Sequence, residues 1–247
     1  FEGEWSEVSF PFHWRYQLDD AQAVWYRITI TSEELASLLT GNSEDQLLGL
    51  YVWRLNQTAD FWMNDSQIGS GGRTEPRMAR HWNSPLYFPI ANGLIQDQNT
   101  ILIKHYAPHT WGSMEELVIG QDGFLKPVYE TRYFIQHDVS LGLFVFVLST
   151  SIFTFVVWYF RRQETQYFWF SLGSFSLSFY ILHQFLRYLP LNPDLWRWLS
   201  NISSDLWACS IFIFSLRSLE LHKPLAERLV YLYLLCGVFV YFYASFF

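Results

Sequence analysis

Basic and aromatic side chains that could bind a ligand are concentrated between residues 71 and 83, in the sequence GGRTEPRMARHWN. The candidate residues are Arg73, Arg77, Arg80, His81 and Trp82. An indole can stack on the apolar face of a sugar ring, while Arg and His can donate hydrogen bonds to its hydroxyl or carboxylate groups. These residue types predict a site for a carbohydrate or acidic ligand. The alternative is a solvated loop in which Trp82 covers the end of a hydrophobic core.

A second group of candidate ligand-binding residues, His109 and Trp111, follows His105 in the segment HYAPHTW. Two histidines four residues apart suit a metal ion when a helix places them on one face. Here Pro108 and the end of a strand separate His105 from His109. We therefore predict no metal site and no cofactor, and we expect both groups to form one pocket at one end of the domain.

No catalytic group is recognisable in the sequence. Glu115 and Glu116 are adjacent and would point to opposite faces of a strand, and nothing else sets two carboxylates at the spacing that glycosidases use. The Gly-x-Ser-x-Gly motif of a nucleophile elbow does not occur. We expect no enzymatic activity from these residues.

The C-terminal part contains four apolar runs of the length of a membrane span, at about residues 139–160, 167–186, 199–216 and 229–247. The first has 22 residues without a charge and is followed by Arg161 and Arg162. About 20 such residues cross the hydrocarbon core of a bilayer as a helix. Because positive charge stays on the cytoplasmic side, the two arginines place the preceding residues outside the cytoplasm.

Two polar residues within these runs are candidates for a role inside the membrane. Asp205 lies about six residues into the third run, near its outer end, and is expected either to pair two helices or to act in ligand binding or switching. His183 is expected to hydrogen-bond a neighbouring helix. Small residues between 171 and 178 predict close packing of the second helix.

Residues 1–136 differ from residues 137–247 in net charge and in cysteine content. The first part has 17 acidic and nine basic residues, a net charge of -8, and no cysteine; Cys209 and Cys236 both lie in the membrane part. Its acidity argues against nucleic acid or anionic lipid as a partner. A domain of this length can form one core without disulfides, which fits a bacterial periplasm.

Short segments with a period of two, separated by turn residues, predict that residues 1–136 form a β-sandwich, or jelly roll. The predicted strands cover 25–31, 49–55, 84–89 and 100–106, and a hairpin covers 60–69 with its turn at Asn64 and Asp65. A short helix is predicted from Ser32 to Leu39, with Ser32 as its cap.

Three of these segments resemble the galactose-binding-like jelly roll found at the front of many glycosidases and in bacterial receptor ectodomains. They are the strand beginning Trp25-Tyr-Arg, the hairpin FWMNDSQIG, and the pair PLYFPI and NTILIK. The resemblance covers about residues 20–107 and implies a fold only, because function depends on the site that a fold carries.

The layout of the whole chain resembles the bacterial seven-transmembrane receptors with diverse intracellular signalling modules. The matching features are a juxtamembrane linker VYETRYF (128–134), the first span, the Arg161-Arg162 turn and the FWF (168–170) that opens the second span. The resemblance implies an inner-membrane receptor with a periplasmic ligand domain, four of seven helices in this sequence, and a diguanylate cyclase or histidine kinase output beyond it. We therefore expect the sequence to be truncated and the protein to form a homodimer or larger complex.

Two other functions remain open at this point. The jelly roll could bind a periplasmic protein, so that the chain is a scaffold or accessory subunit of an envelope complex. A transporter component is disfavoured because the spans lack inverted repeats and broken helices.

Overall fold

The computed structural model describes residues 5–14, 23–38, 47–74, 78–107 and 112–246. The chain consists of two units, Phe1–Gln136 and His137–Phe247. The boundary between them falls where charge and hydropathy divide the sequence.

The described part of the first unit is built mainly from nine short strands. They are β1 (Phe12–Trp14), β2 (Ala23–Thr31), β3 (Leu48–Val52), β4 (Thr58–Met63), β5 (Ser66–Ser70), β6 (Leu86–Ile90), β7 (Gln98–Tyr106), β8 (Gly112–Met114) and β9 (Leu117–Gln121). Every pairing between them is antiparallel. The sheet orders are β2-β7-β4-β5, β6-β3-β9 and β1-β8. The prediction of antiparallel sheets followed by helices is thereby confirmed. Glu115 and Glu116 lie between β8 and β9, so the expectation that they lie on a strand is wrong.

One core is shared by the two larger sheets. Tyr26 of β2 is 5% exposed while the next residue, Arg27, is exposed, which is the predicted alternation of a half-buried strand. Phe61 of β4 and Phe88 of β6 place their ring centroids 4.9 Å apart, so the two sheets meet through their side chains. Burial of these apolar groups is what stabilises a unit whose sequence contains no cysteine.

The hairpin between β4 and β5 has the predicted turn. Asn64 and Asp65 both have positive φ, 47° and 66°, which is the backbone of the two-residue turns that match strand twist. The Asn64 amide also binds beyond the turn: Nδ2 donates to the Leu94 carbonyl (2.7 Å) and to Asn99 Oδ1 (2.8 Å), while Oδ1 accepts from the Thr100 amide (2.8 Å). The turn is therefore fixed to β7 as well as to its own strands.

Helix α1 (Ser32–Ser37) begins where a helix was predicted, but Ser32 does not cap it. Thr31 is the cap, because its side chain accepts from the Glu34 amide (3.2 Å) and its own amide donates to Glu34 Oε2 (2.8 Å). This reciprocal pair is a capping box, and its hydrogen bonds lower the pKa of Glu34. The predicted last residue, Leu39, lies outside the described residues.

Helix α2 (Asp122–Tyr133) was not predicted from the sequence, in which residues 128–134 were interpreted as a juxtamembrane linker. It covers the outer face of the sheet β6-β3-β9, so that every residue of β3 is buried although only alternate ones can face the core. Leu125 is the buried residue of the helix. Gly123 and Pro127 argue against a helix at this place in the sequence, because both residue types are unfavourable inside helices.

The second unit is helical. After a π-helical segment (Phe134–Val139) come α3 (Ser140–Phe160), α4 (Thr165–Phe185), α5 (Pro193–Ser218) and α6 (Pro224–Phe246). Among the described residues three helical segments are long and apolar enough to cross a membrane, Asp122–Phe160, Pro193–Ser218 and Pro224–Phe246. Membrane helices are thus supported; α4, the second predicted span, is a helix but is not among these three, so the number of spans stays a prediction.

Helix α4 has 21 residues and no charge, yet it is less apolar than α3 and α6 because small polar residues form its buried face. Ser171 and Ser151 of α3 exchange hydroxyl-to-carbonyl hydrogen bonds, each 2.9 Å long. A Cβ on Gly173 would lie 3.2 Å from Ser210 of α5. The predicted close packing of this helix is confirmed, and the same serines explain its low hydropathy.

Helix α5 begins six residues before the predicted span. Asn192 caps it by accepting from the Asp194 amide (2.8 Å), and Pro193 occupies the first turn, where a missing N–H costs nothing. Residues 193–198, which precede the predicted third span, are therefore helical.

We expect Asn64→Ala to destabilise the first unit by about 2 to 4 kcal/mol, because three hydrogen bonds and the residue type best suited to positive φ are lost together. Asp65→Ala is the matched control: it introduces the same backbone strain without those hydrogen bonds and should cost about 1 kcal/mol. Denaturant unfolding of both variants in detergent measures the difference. Equal losses would show that the turn backbone alone matters.

Candidate functional site

The predicted ligand loop is held in shape by His81. This side chain is 2% exposed, and its Nε2 lies 2.7 Å from the carbonyl oxygen of Gly71 at the other end of the loop. Since a carbonyl only accepts, Nε2 carries the proton of that bond. Within the loop, the Ala79 amide donates to the Arg73 carbonyl (2.9 Å). His81 thus positions the loop, and its predicted contact with a ligand stays a prediction.

Three of the remaining candidates of this loop are described, and they differ in exposure. Arg73 is exposed, whereas Arg80 and Trp82 are half-buried. The Arg80 guanidinium lies 5.9 Å from the centroid of the Trp82 ring, so the cation and the indole form one surface. Burial lowers the pKa of Arg80 to about 10, which leaves it charged at neutral pH. A stacking ring beside a charged donor is the arrangement that the sequence predicted for a sugar or carboxylate ligand.

The other candidates, Arg77, His109 and Trp111, lie outside the described residues. The pocket shared by the two groups therefore stays a prediction.

His105 belongs to the core. Its side chain is fully buried, its Nε2 lies 2.6 Å from the Asn56 carbonyl oxygen, and its ring stacks on Tyr26 with centroids 6.2 Å apart. Burial lowers its pKa to about 4, so the ring is neutral at physiological pH. In the part of the chain that the structure describes, no group of three or more His, Cys, Asp or Glu side chains could hold a metal ion.

Asp205 lies at the middle of α5, twelve residues after Pro193 and thirteen before Ser218. Asp205 was predicted about six residues into its span and near the outer interface; the helix itself begins six residues before that span, and the depth of Asp205 in a membrane stays a prediction. Its carboxylate is about 18 to 20 Å from either helix end at 1.5 Å per residue. A carboxylate at that depth is costly unless polar groups surround it.

Polar side chains of α6 face that carboxylate. Tyr233 and Tyr241 are near enough to Asp205 to interact with it electrostatically, although its buried Oδ2 accepts no hydrogen bond from the described residues, and Gly237 lies between them at helical spacing. A Cβ on Gly237 would lie 3.4 Å from Asp205 Oδ2, so the glycine lets the carboxylate approach the α6 backbone. The arrangement can shield a charge or hold a proton between α5 and α6.

His183 of α4 hydrogen-bonds the neighbouring helix α5, as predicted. The Trp196 indole N–H donates to Nδ1 (2.7 Å), and Ser200 Oγ lies 3.2 Å from the same atom. Because an indole nitrogen can only donate, Nδ1 is the unprotonated nitrogen of the ring. The role of His183 is to join two helices.

The sequence did not single out the outward face of the sheet β2-β7-β4-β5. Trp25, Trp62 and Lys104 lie close together there, on three neighbouring strands. The signal was present in the alternation of each strand, since these residues occupy the positions between core residues. To recognise that these residues share one face, the order of the strands in the sheet is also needed, and that order could not be predicted from the sequence.

Comparisons with known proteins give no family. No protein-family model matches the chain, and no curated protein matches it. Among solved structures it is similar to the beta-D-mannosidase from Dictyoglomus thermophilum, with 15% sequence identity and a TM-score of 0.24. The similarity covers 35% of this chain and 9% of that chain, so the chain spans less than a tenth of the enzyme's length. Similarity of this extent carries no argument about fold or function.

The first unit should lose stability as the pH falls below 6.5, because the unfolded chain then protonates His105 and the folded chain does not until about pH 4. The loss from this group should reach at most about 3 kcal/mol at pH 4. Denaturant unfolding between pH 7 and 4 measures it. His105→Gln should flatten the slope, and His13→Gln, at an exposed histidine of β1, should not. An unchanged slope in His105→Gln would contradict the assignment.

Asp205 and the α6 tyrosines should be energetically coupled. We expect the double variant Tyr233→Phe/Tyr241→Phe to cost less stability in an Asp205→Asn background than in the unmodified chain, with a coupling of about 0.5 to 2 kcal/mol. Unfolding of the helices in detergent provides the four measurements. Tyr231→Phe, whose ring contacts Trp169 of α4, is the control and should show no coupling. Additive effects would mean that the tyrosines do not stabilise the carboxylate.

Proposed function

We propose that this chain is the sensory part of a bacterial inner-membrane receptor. Its first unit is a periplasmic jelly roll that binds a ligand, and its helices pass the resulting change to a cytoplasmic output domain. The proposal is supported by an antiparallel sheet unit with its own core, followed by apolar helices, in the order that the resemblance to seven-transmembrane receptors implies.

The observation that carries the proposal is the attachment of α2 to the sheet. The Tyr87 hydroxyl of β6 donates to the Asp122 carboxylate at the start of α2, and the Tyr87 and Tyr129 rings stack with centroids 5.6 Å apart. At the other end the Arg132 guanidinium lies 3.6 Å from the centroid of the Trp53 ring. Both ends of α2 are therefore fixed to the outer face of one sheet.

The sheet is also shaped to let α2 approach. A Cβ on Gly49 of β3 would collide with the Tyr87 ring, and one on Gly120 of β9 would lie 3.4 Å from Leu125 of α2. Two glycines side by side in the register thus leave room for the helix and its tyrosine. Such a fit favours a specific docking site over a loosely covering segment.

Helix α2 is followed in the chain, without intervening coil, by the π-helical segment and α3. A ligand that changes the sheet would thereby act on the first apolar helix through the backbone. It can do so only if it binds two states of the unit with different affinity. This route is what a receptor needs and what a passive anchor does not.

The charges beside α3 support the proposed orientation. Arg161 and Arg162 come directly after it, and the Arg162 guanidinium lies 4.7 Å from the ring centroids of both Trp158 and Tyr159. Aromatic rings with adjoining arginines are typical of the cytoplasmic interface. They favour a periplasmic first unit. The cyclase or kinase output, further helices and a homodimeric assembly are parts of the proposal that lie beyond this sequence.

We expect Tyr87→Phe to loosen α2 and to change the helices that follow it. Amide hydrogen exchange of the chain in lipid nanodiscs should become about tenfold faster in residues 122–139, since one hydrogen bond to a carboxylate is lost. If the receptor proposal is right, exchange in α3 and α4 also changes. Tyr106→Phe, on the opposite sheet, is the control and should alter neither region.

A change confined to 122–133 would overturn the coupling. It would favour the second candidate, a scaffold or accessory subunit that uses its sheet unit to bind a protein and its helices only as an anchor.

A further inference from the structure

We propose that the outward face of the sheet β2-β7-β4-β5 binds an acidic polysaccharide through an aromatic platform formed by Trp25, Trp62, Lys104 and Tyr106. This inference rests on the proposed receptor function for its biological role and names the chemical class of the ligand. The surface is separate from the loop that contains Arg80 and Trp82.

The platform follows from strand alternation. Tyr26, Phe61 and Ile103 point into the core from β2, β4 and β7. Residues next to them in each strand must point outward. The register confirms that they share a face, since Trp25 and Asp60 both lie opposite Lys104, and Arg27 and Trp62 both lie opposite Leu102. Three adjacent strands thus present one surface.

The two indoles lie against each other as a tilted pair. Trp25 and Trp62 come from the strands on either side of β7, yet their ring centroids are 5.4 Å apart and their planes differ by 33°. Both are half-buried, so part of each indole is exposed to solvent. Rings arranged side by side can stack on consecutive pyranose units, whose C–H faces are apolar.

Cations border the rings. Lys104 Nζ lies 5.4 Å from the Trp25 centroid and 5.0 Å from the Tyr106 centroid, and the Arg27 guanidinium lies 4.3 Å from the Trp5 centroid. These contacts fix the cations beside the stacking surface. In a unit with a net charge of -8, Lys104 and Arg27 provide positive groups on this face, which also carries Asp60 opposite Lys104, and a carboxylate could approach them.

The choice of a polysaccharide over a small ligand follows from shape. The platform lies on a sheet face and spans three strands, whereas small molecules are usually bound in concave pockets. Charge complementarity favours a chain with carboxylates, because Lys104 and Arg27 can bind carboxylate oxygens while the indoles bind the rings. The same contacts would also stabilise the sheet without any ligand, so the experiment has to separate binding from stability.

The test uses the full chain in lipid nanodiscs with two probes, cellotetraose and its tetraglucuronate counterpart, which differs by carboxylates at C6. Isothermal titration should show binding of the tetraglucuronate, with weaker binding of cellotetraose. Trp62→Ala should weaken tetraglucuronate binding by about tenfold or more, and Trp62→Phe should retain most of it. Lys104→Gln should remove the preference for the acidic probe. Thermal unfolding of each variant shows whether the fold is kept.

Trp82→Ala is the matched control, because it removes the indole of the other candidate site. Loss of binding in Trp82→Ala but not in Trp62→Ala would overturn the platform and leave the receptor proposal intact. Binding of neither probe, or equal binding of both, would also overturn it. The hydrogen-exchange experiment on Tyr87→Phe uses no sugar, so failure of the receptor proposal is recognised independently.

Discussion

Burial of β3 on both faces is the constraint on which the first unit depends. Leu48, Leu50 and Val52 face the core, while Tyr51 is covered from the other side by α2. A central strand of this kind cannot move without disturbing both layers, since protein interiors are packed as densely as crystals. The position of α2 is therefore set by the sheet, and the sheet is in turn protected from water by α2.

The local features of the sheet unit could be predicted because short-range rules determine them. Asn64 and Asp65 adopt positive φ readily, and the alternation around Tyr26 has one apolar and one polar side. Helix α2 could not be predicted in this way, because it contains Gly123 and Pro127 and is stabilised by contacts with β3 and β6. His105 was similarly misleading, since its spacing from other histidines reveals nothing of its burial beside Tyr26. Tertiary contacts decide both cases.

In the helical unit, the residues that lower the hydropathy of a helix are also residues that allow it to pack closely against its neighbours. The serines of α4 lower its hydropathy, but they are the residues that allow α3 and α5 to approach. The apolar run in α5 begins after the helix itself does. The first two turns of the helix contain charged residues, and the Asn192 cap stabilises them. Asp205 consequently appeared to lie near an end of the helix and lies at its centre. An apolar run therefore predicts the central part of a membrane helix better than it predicts the two ends.

The two outer faces of the sheet unit carry different groups. The face of β6-β3-β9 is occupied by α2, and the face of β2-β7-β4-β5 carries the tryptophans and Lys104. Among the described residues, the core between the sheets, where Phe61 meets Phe88, connects the second face to the sheet on which α2 lies. Gly69 of β5 adjoins the same ring, since a Cβ there would collide with Phe88. A shift of β4 and β5 would therefore press on β6, the strand that carries Tyr87 and its bond to Asp122. Dense packing around the Phe88 ring thus joins β4 and β5 to β6, and in the proposed receptor it is the contact through which the sheet that carries the tryptophans would act on α2.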